Sequence, residues 1–333
     1  MRLEAAAGRD RQQLDSSEHS LYGYSMSFTG RDILSTEDLS REDIFQILKV
    51  TARMERLAKT KRVVRLLADR LVAVIFLEPS TRTRLSFETA IQRLGARSIT
   101  VADPKSSSAA KGESLTDMAR TVEGYVDCIV IRQPETGGAK RVADAVAVPV
   151  INGGDGSGQH PTQALLDLYT IRKEKGNLEG LTVAMVGDLK YGRTVHSLSY
   201  ALAPFGPRFV YCSPAELRMP EAVTRDVRAR GIPVSETADI REALSQADIV
   251  YMTRVQRERF EDPAQYERLK GSYILTRKLA EEAKPGLTVM HPLPRVDEIA
   301  QEVDALPGAA YFRQAHNGVF LRMALLAMVM GRA

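Results

Sequence analysis

From Leu71 onward, short apolar runs alternate with longer segments whose apolar residues recur at helical spacing. The first group of runs covers 71–77, 98–102, 127–131 and 148–151. The second covers 181–186, 209–212, 232–234, 248–252 and 287–290. Runs this short, bounded by turn residues, suit strands buried on both faces. Between them Phe87, Ala90, Ile91 and Leu94 follow the i, i+3, i+4, i+7 pattern of one helix face. Helical periodicity also starts near Ser35, with Leu39, Ile44 and Ile47 on one side. The segment Asn317–Met330 is apolar nearly all round, which predicts a buried helix.

This alternation predicts parallel sheets flanked by helices. The runs are too many for one ordinary sheet, and the glycine-rich stretch Gly153–Gly158 falls between the two groups. The expected architecture is therefore α/β, with two doubly wound domains and their boundary in that stretch. The first domain is expected over residues 29–160 and the second over 161–314, with a helix Pro161–Arg172 joining the halves. Residues 1–28 are polar and read as a flexible tail. A chain of 333 residues also exceeds what one core usually holds.

Composition changes this picture little. The formal net charge is only +4 and Lys and Arg are scattered, which argues against a nucleic-acid partner but suits anionic substrates. Cys128 and Cys212 sit in apolar runs and are expected as small buried hydrophobes. Two thiols cannot form a disulfide framework or a cysteine zinc site. No apolar stretch approaches the ~20 residues of a membrane span. The first residues mix Arg with Asp and Glu and lack the apolar core of a signal peptide. The expectation is a cytoplasmic protein with no membrane partner.

Chemistry concentrates where runs end. Glu78-Pro79-Ser80-Thr81-Arg82-Thr83-Arg84 follows a strand and opens a helix. Helix N-termini offer unpaired N–H groups and partial positive charge, so added hydroxyls and guanidinium forks favour a phosphate site over a plain capped helix. Arg132 ends another run and faces either solvent or the strand-end crevice. His160 precedes Pro161, which suits the first helical position. It is either a helix cap or a neutral imidazole able to donate to a carbonyl oxygen. Gly187–Thr194 misses the P-loop pattern by Arg193 in place of Lys. A planar fork suits a carboxylate better than it suits a nucleotide phosphate. Arg254 and Gln256 offer a second carboxylate site or belong to a solvated loop. In His291-Pro292-Leu293-Pro294 the prolines remove donors and leave carbonyl oxygens to accept. Residues 106–113 are a linker or a mobile phosphate-covering loop.

Five blocks in order, STRTRLSFE, GDGSGQHPTQ, MVGDLKYGRTVHS, MTRVQ and HPLPRVDEI, resemble the aspartate carbamoyltransferase branch of the aspartate/ornithine carbamoyltransferase family. The likeness runs from about Asp32 to Met330. It implies transfer of the carbamoyl group of carbamoyl phosphate to L-aspartate, an early step of pyrimidine biosynthesis, with no metal or cofactor. By resemblance Ser80, Thr81, Arg82, Thr83 and Arg132 hold the phosphate, and Thr83, Arg132 and His160 polarise the carbamoyl oxygen. Gln163 and the backbone at Pro292–Leu293 engage the carbamoyl amide, and Arg193, Arg254 and Gln256 grip aspartate. Ser107 and Lys111 come from a neighbouring chain. The resemblance further implies that a C-terminal helix, 315–333, completes the first domain. It also implies a homotrimer with shared sites, and leaves room for a larger assembly with regulatory chains or another pathway enzyme. Ornithine enzymes of the family typically carry Cys directly after the His of the last block. Here Pro292 stands there.

Overall fold

A computed structural model describes residues 28–60, 63–102, 112–257, 260 and 262–333. The expected tail lies outside these except for Phe28, which is buried in the core. The loop carrying Ser107 and Lys111 also lies outside the described residues.

Two parallel sheets form. The first has strands β1 (Leu71–Phe76), β2 (Arg97–Val101), β3 (Cys128–Gln133) and β4 (Val150–Asp155) in the order β2-β1-β3-β4. The second has β5 (Thr182–Val186), β6 (Arg208–Cys212), β7 (Val234–Thr237), β8 (Ile249–Met252) and β9 (Thr288–Met290) in the order β7-β6-β5-β8-β9. Each expected run overlaps a strand, and most are buried because their side chains find apolar partners on both faces. The edge strands β2 and β7 are instead largely exposed, and β7 starts only at Val234, where its expected run ends. In β1, Val72, Val74 and Phe76 enter one core cluster, while Ala73 and Ile75 enter another on the opposite face. The two cysteines are buried in β3 and β6, as the runs implied.

The helices follow the pattern with shifted ends. Helix α1 (Arg41–Thr60) begins later than Ser35. Ser40 and Asp43 cap each other's backbone N–H groups at 3.0 Å, a reciprocal arrangement that fixes the start. Helix α2 (Thr81–Arg93) follows β1, α3 (Leu115–Glu123) precedes β3, and α4 (Gly138–Ala143) follows it. Helix α5 (Pro161–Lys175) leads into the second sheet, where α6 (Arg193–Leu202), α7 (Glu221–Ala229), α8 (Ile240–Gln246), α9 (Pro263–Leu269) and α10 (Arg277–Glu281) surround the strands.

Helix α11 (Tyr311–Val329) returns to the first domain and packs on α1, α2 and α5. Its burial makes large-to-small changes at Leu325 or Leu326 worth about 2–5 kcal/mol each. It begins at Tyr311 rather than Asn317 and is less uniformly apolar than expected. Gln314, Asn317 and Arg322 are buried, and they bond to polar groups of α5. Among the described residues no helix is long and apolar enough to cross a membrane.

The glycine-rich stretch, expected as a boundary, also shapes the first sheet. Gly153 and Gly154 belong to β4. Gly154 has φ +120°, and a Cβ there would stand 3.1 Å from Arg132 Nη1 and 3.4 Å from the Arg193 guanidinium. The positive φ calls for glycine, and the two arginines passing over this backbone leave little room for a Cβ.

Candidate active site

A cleft of about 470 Å³ opens where the C-terminal ends of the two sheets face each other. Ligands of open α/β sheets bind at this edge. Every residue that the family resemblance assigned to the site lines it, apart from Ser107 and Lys111 in the loop outside the described residues.

The first wall is the start of α2. Ser80 is its N-cap with extended backbone, yet its hydroxyl makes no capping bond. The opening turn, Thr81, Arg82 and Thr83, presents first-turn N–H groups to the cleft beside the hydroxyls. Burial, and then Arg254, lower the pKa of Arg82, which places these two guanidiniums within electrostatic reach. Arg84, expected to join them, does not line the cleft. Its position on α2 turns it toward Glu88, 3.9 Å away.

Arg132 is the penultimate residue of β3 and is buried. Its Nη2 donates to Glu78 Oε1 at 3.0 Å and its Nη1 to Gly153 O at 3.3 Å. Burial and the nearby Arg193 push its pKa down to about 10, with Glu78 opposing. Arg193 is the first residue of α6. It donates to Gly156 O and lies 3.4 Å from Glu78 Oε1. One carboxylate thus joins guanidiniums from both halves of the chain.

His160 is the N-cap of α5, but its side chain caps nothing. The ring is buried, and Nδ1 has no hydrogen-bond partner. Its pKa falls well below the ordinary value, first through burial and then through Arg193, Arg132 and Arg322. The imidazole is neutral, as the sequence implied, although desolvation is the leading cause.

Arg254 follows β8, and Gln256 Nε2 lies 3.5 Å from Tyr191 O. The segment after β9 is held by His291. Its Nε2 is 2.6 Å from Glu298 Oε1, and Nδ1 accepts the Leu293 N–H at 2.7 Å. The Leu293–Pro294 bond is cis. The side chain of Gln163, on the first turn of α5, donates to Asp167 Oδ1 at 2.9 Å.

The cleft can therefore hold two anions. Guanidiniums from both sheets, the first turn of α2, side-chain amides and a neutral imidazole all line it. Two family models match the chain, the aspartate/ornithine carbamoyltransferase carbamoyl-P binding domain over residues 31–173 and the Asp/Orn binding domain over 179–329. The chain belongs to the aspartate/ornithine carbamoyltransferase family. It is 51% identical over 306 residues to the aspartate carbamoyltransferase catalytic subunit of Methanopyrus kandleri, covering 92% of this chain and 99% of that one. The corresponding subunit of Chromobacterium violaceum is 50% identical over 300 residues, covering 90% and 98%. Among solved structures, the M. jannaschii aspartate transcarbamoylase catalytic subunit superposes with TM-score 0.84 at 48% identity, over 90% of this chain and 98% of that one. Aspartate transcarbamoylase from Trypanosoma cruzi in complex with carbamoyl phosphate and aspartate gives TM-score 0.86 at 38% identity, over 91% and 98%.

Family membership accounts for the ordered motifs, but sequence reasoning passed over several lining residues. Glu78 stood inside the first motif without a role. Ser86, Gln314 and Arg322 also line the cleft. Arg322 Nη1 donates to Ser86 Oγ at 2.9 Å, and its guanidinium stacks 5.0 Å from the Phe87 ring centroid. A buried arginine in an otherwise apolar helix was the signal that could have found it.

Proposed function

We propose that this chain transfers the carbamoyl group of carbamoyl phosphate to the amine of L-aspartate, releasing N-carbamoyl-L-aspartate and phosphate. The observation that carries the reading is the convergence of Arg82, Arg132, Arg193 and Arg254 on one cleft. Guanidiniums from strand ends and helix starts of both sheets suit two negatively charged reactants held face to face.

In this reading Ser80, Thr81, Arg82, Thr83 and Arg132 bind the phosphate. Thr83, Arg132 and His160 point donors at the carbamoyl oxygen. Gln163 and the backbone at Pro292–Leu293 accept from the carbamoyl amide. Arg193, Arg254 and Gln256 hold the two carboxylates of aspartate, and Arg254 repels the cationic side chain of ornithine. The amine attacks the carbamoyl carbon and forms a C–N bond. The bond from that carbon to the phosphate oxygen breaks through a tetrahedral oxyanion, and the departing phosphate takes the amine proton. Phosphate is already a good leaving group, so orientation and oxyanion donors supply the rate. One such donor is worth roughly 10²–10³ in kcat.

The reading extends to a homotrimer in which Ser107 and Lys111 of one chain complete the site of the next. It also places the protein in the cytoplasm, where two unpaired buried thiols suit a reducing compartment. The test is carbamoylation with aspartate and ornithine offered in parallel. Aspartate should be preferred by more than about 10²-fold in kcat/KM, the penalty of a buried unpaired charge. Preference for ornithine would overturn the assignment. Tight binding of a phosphonate–aspartate mimic without turnover of either amino acid would mark an inactive scaffold.

A further inference from the structure

Beneath the cleft lies a carboxylate with no assigned part in the reaction. Asp167 stands one turn after Gln163 on α5 and is fully buried. Its Oδ1 accepts from Gln163 Nε2 at 2.9 Å and from Gln314 Nε2 at 2.7 Å. Its Oδ2 accepts from Tyr251 OH at 2.8 Å. Gln314, in turn, accepts the His291 backbone N–H on Oε1 at 2.9 Å.

A carboxylate accepts hydrogen bonds and donates none, whereas a primary amide has one donating end and one accepting end. Asp167 therefore decides which way both glutamines face. Each turns its nitrogen to the carboxylate, so each oxygen points away. For Gln314 that oxygen holds the backbone entering Pro292. For Gln163, which lines the cleft, the oxygen is the end able to accept an N–H from a ligand. Burial pushes the Asp167 pKa up to about 7, against the bonds from Tyr251, Gln314 and Gln163 and the nearby Arg322. The acceptor-only form is thus well populated from neutrality upward.

We infer that Asp167 is a positioning residue for carbamoyl transfer: through Gln163 and Gln314 it aims both the side chain and the backbone segment that engage the carbamoyl amide. The inference rests on the roles of Gln163 and Pro292–Leu293 proposed above. It implies that Asp167 affects recognition of the carbamoyl group and not of the phosphate.

Steady-state kinetics of the full chain test this, with inorganic phosphate as a competing ligand that lacks the carbamoyl group. Asp167→Ala should lower kcat/KM for carbamoyl phosphate roughly 10- to 100-fold, the cost of leaving buried donors unpaired. The inhibition constant of phosphate should change less than about threefold. Asp167→Asn keeps an oxygen for both amides and should recover most of the loss. In a Gln163→Ala background, Asp167→Ala should add much less than its own single effect, since the shared arm is already gone. Gln314→Leu, which touches only the second arm, gives an independent reading should Asp167→Ala fail to fold. It too should weaken carbamoyl phosphate and spare phosphate. Equal weakening of both ligands, or fully multiplicative effects of Asp167→Ala and Gln163→Ala, would overturn the inference alone. A Gln163→Ala chain with normal kcat/KM for carbamoyl phosphate would instead overturn the underlying role of Gln163, and this inference with it.

Discussion

Glu78 Oε1 accepts from Arg132 Nη2 at 3.0 Å while lying 3.4 Å from Arg193 Nη2. Arg132 belongs to β3 of the first sheet and Arg193 to the start of α6 beside the second. The carboxylate therefore occupies the two guanidiniums that the proposed chemistry assigns to different substrates. In the proposed chemistry an anion entering the cleft competes with Glu78 for these guanidiniums.

Replacing Glu78 separates its two effects. In Glu78→Gln the largely buried Arg132 and Arg193 face each other without a counter-charge. Breaking a buried pair from one side is costly, and partial exposure of Glu78 reduces that cost to about 2 kcal/mol here. Added phosphate supplies the missing charge. The variant should therefore melt below the parent chain without anion and regain more on phosphate addition than the parent does. Thermal denaturation with and without phosphate reads this directly. Equal gains in both proteins would show that Glu78 and the anion do not share donors.

His160 should stay neutral throughout the working range. Its pKa is depressed by burial and by three guanidiniums, so the folded chain resists the proton that the unfolded chain accepts below about pH 6.5. The contribution to stability is complete above that value and is lost progressively as pH falls from it toward the depressed folded-state pKa. Isotope-edited NMR of the imidazole should show the neutral form at pH 6, and His160→Asn should lose the corresponding part of the acid slope of stability. An imidazolium signal at pH 6.5 would remove His160 as a neutral donor to the carbamoyl oxygen.

Much of this was legible before the structure, for identifiable reasons. Strands buried on both faces read as continuous apolar runs, which is why β1, β3 and β5 stood out. The arginines were visible because each ends such a run or opens the following helix. What stayed hidden depends on tertiary pairing. Gln314, Asn317 and Arg322 look like minor interruptions of an apolar helix until α5 supplies their partners. Glu78 looked like a flanking acid until Arg132 and Arg193, far along the chain, met on it. Gly153 and Gly154 read as a boundary because composition cannot show which side chains cross a backbone.

Acid should expose a second ionic joint. Glu55 on α1 accepts from Lys173 of α5 and pairs with Lys59 at 2.8 Å each, and also accepts from Tyr169. Burial alone would raise its pKa, but these bonds outweigh burial and pull it down to about 2. The stability it adds is complete above the ordinary glutamate value and disappears as pH falls toward 2. Its size is on the order of 2 kcal/mol. Denaturant midpoints from pH 6 to pH 3 should fall less steeply for Glu55→Gln than for the parent chain. Parallel slopes would show that the joint carries no net charge energy.

The proposed trimer makes a prediction that needs no further structure. Arg132 lies in the described cleft, whereas Lys111 is expected to reach the cleft of a neighbouring chain. Arg132→Ala and Lys111→Ala chains should each lose at least about 10² in kcat/KM, since each removes a positioned cation. In a mixed trimer, some sites draw Arg132 from a Lys111→Ala chain and Lys111 from an Arg132→Ala neighbour. Such sites contain both cations. Subunit exchange between the two inactive proteins, checked by mass, should therefore restore a minor fraction of parental activity. That fraction should grow with the extent of exchange. Complete exchange without any recovery would mean that each site draws both residues from one chain.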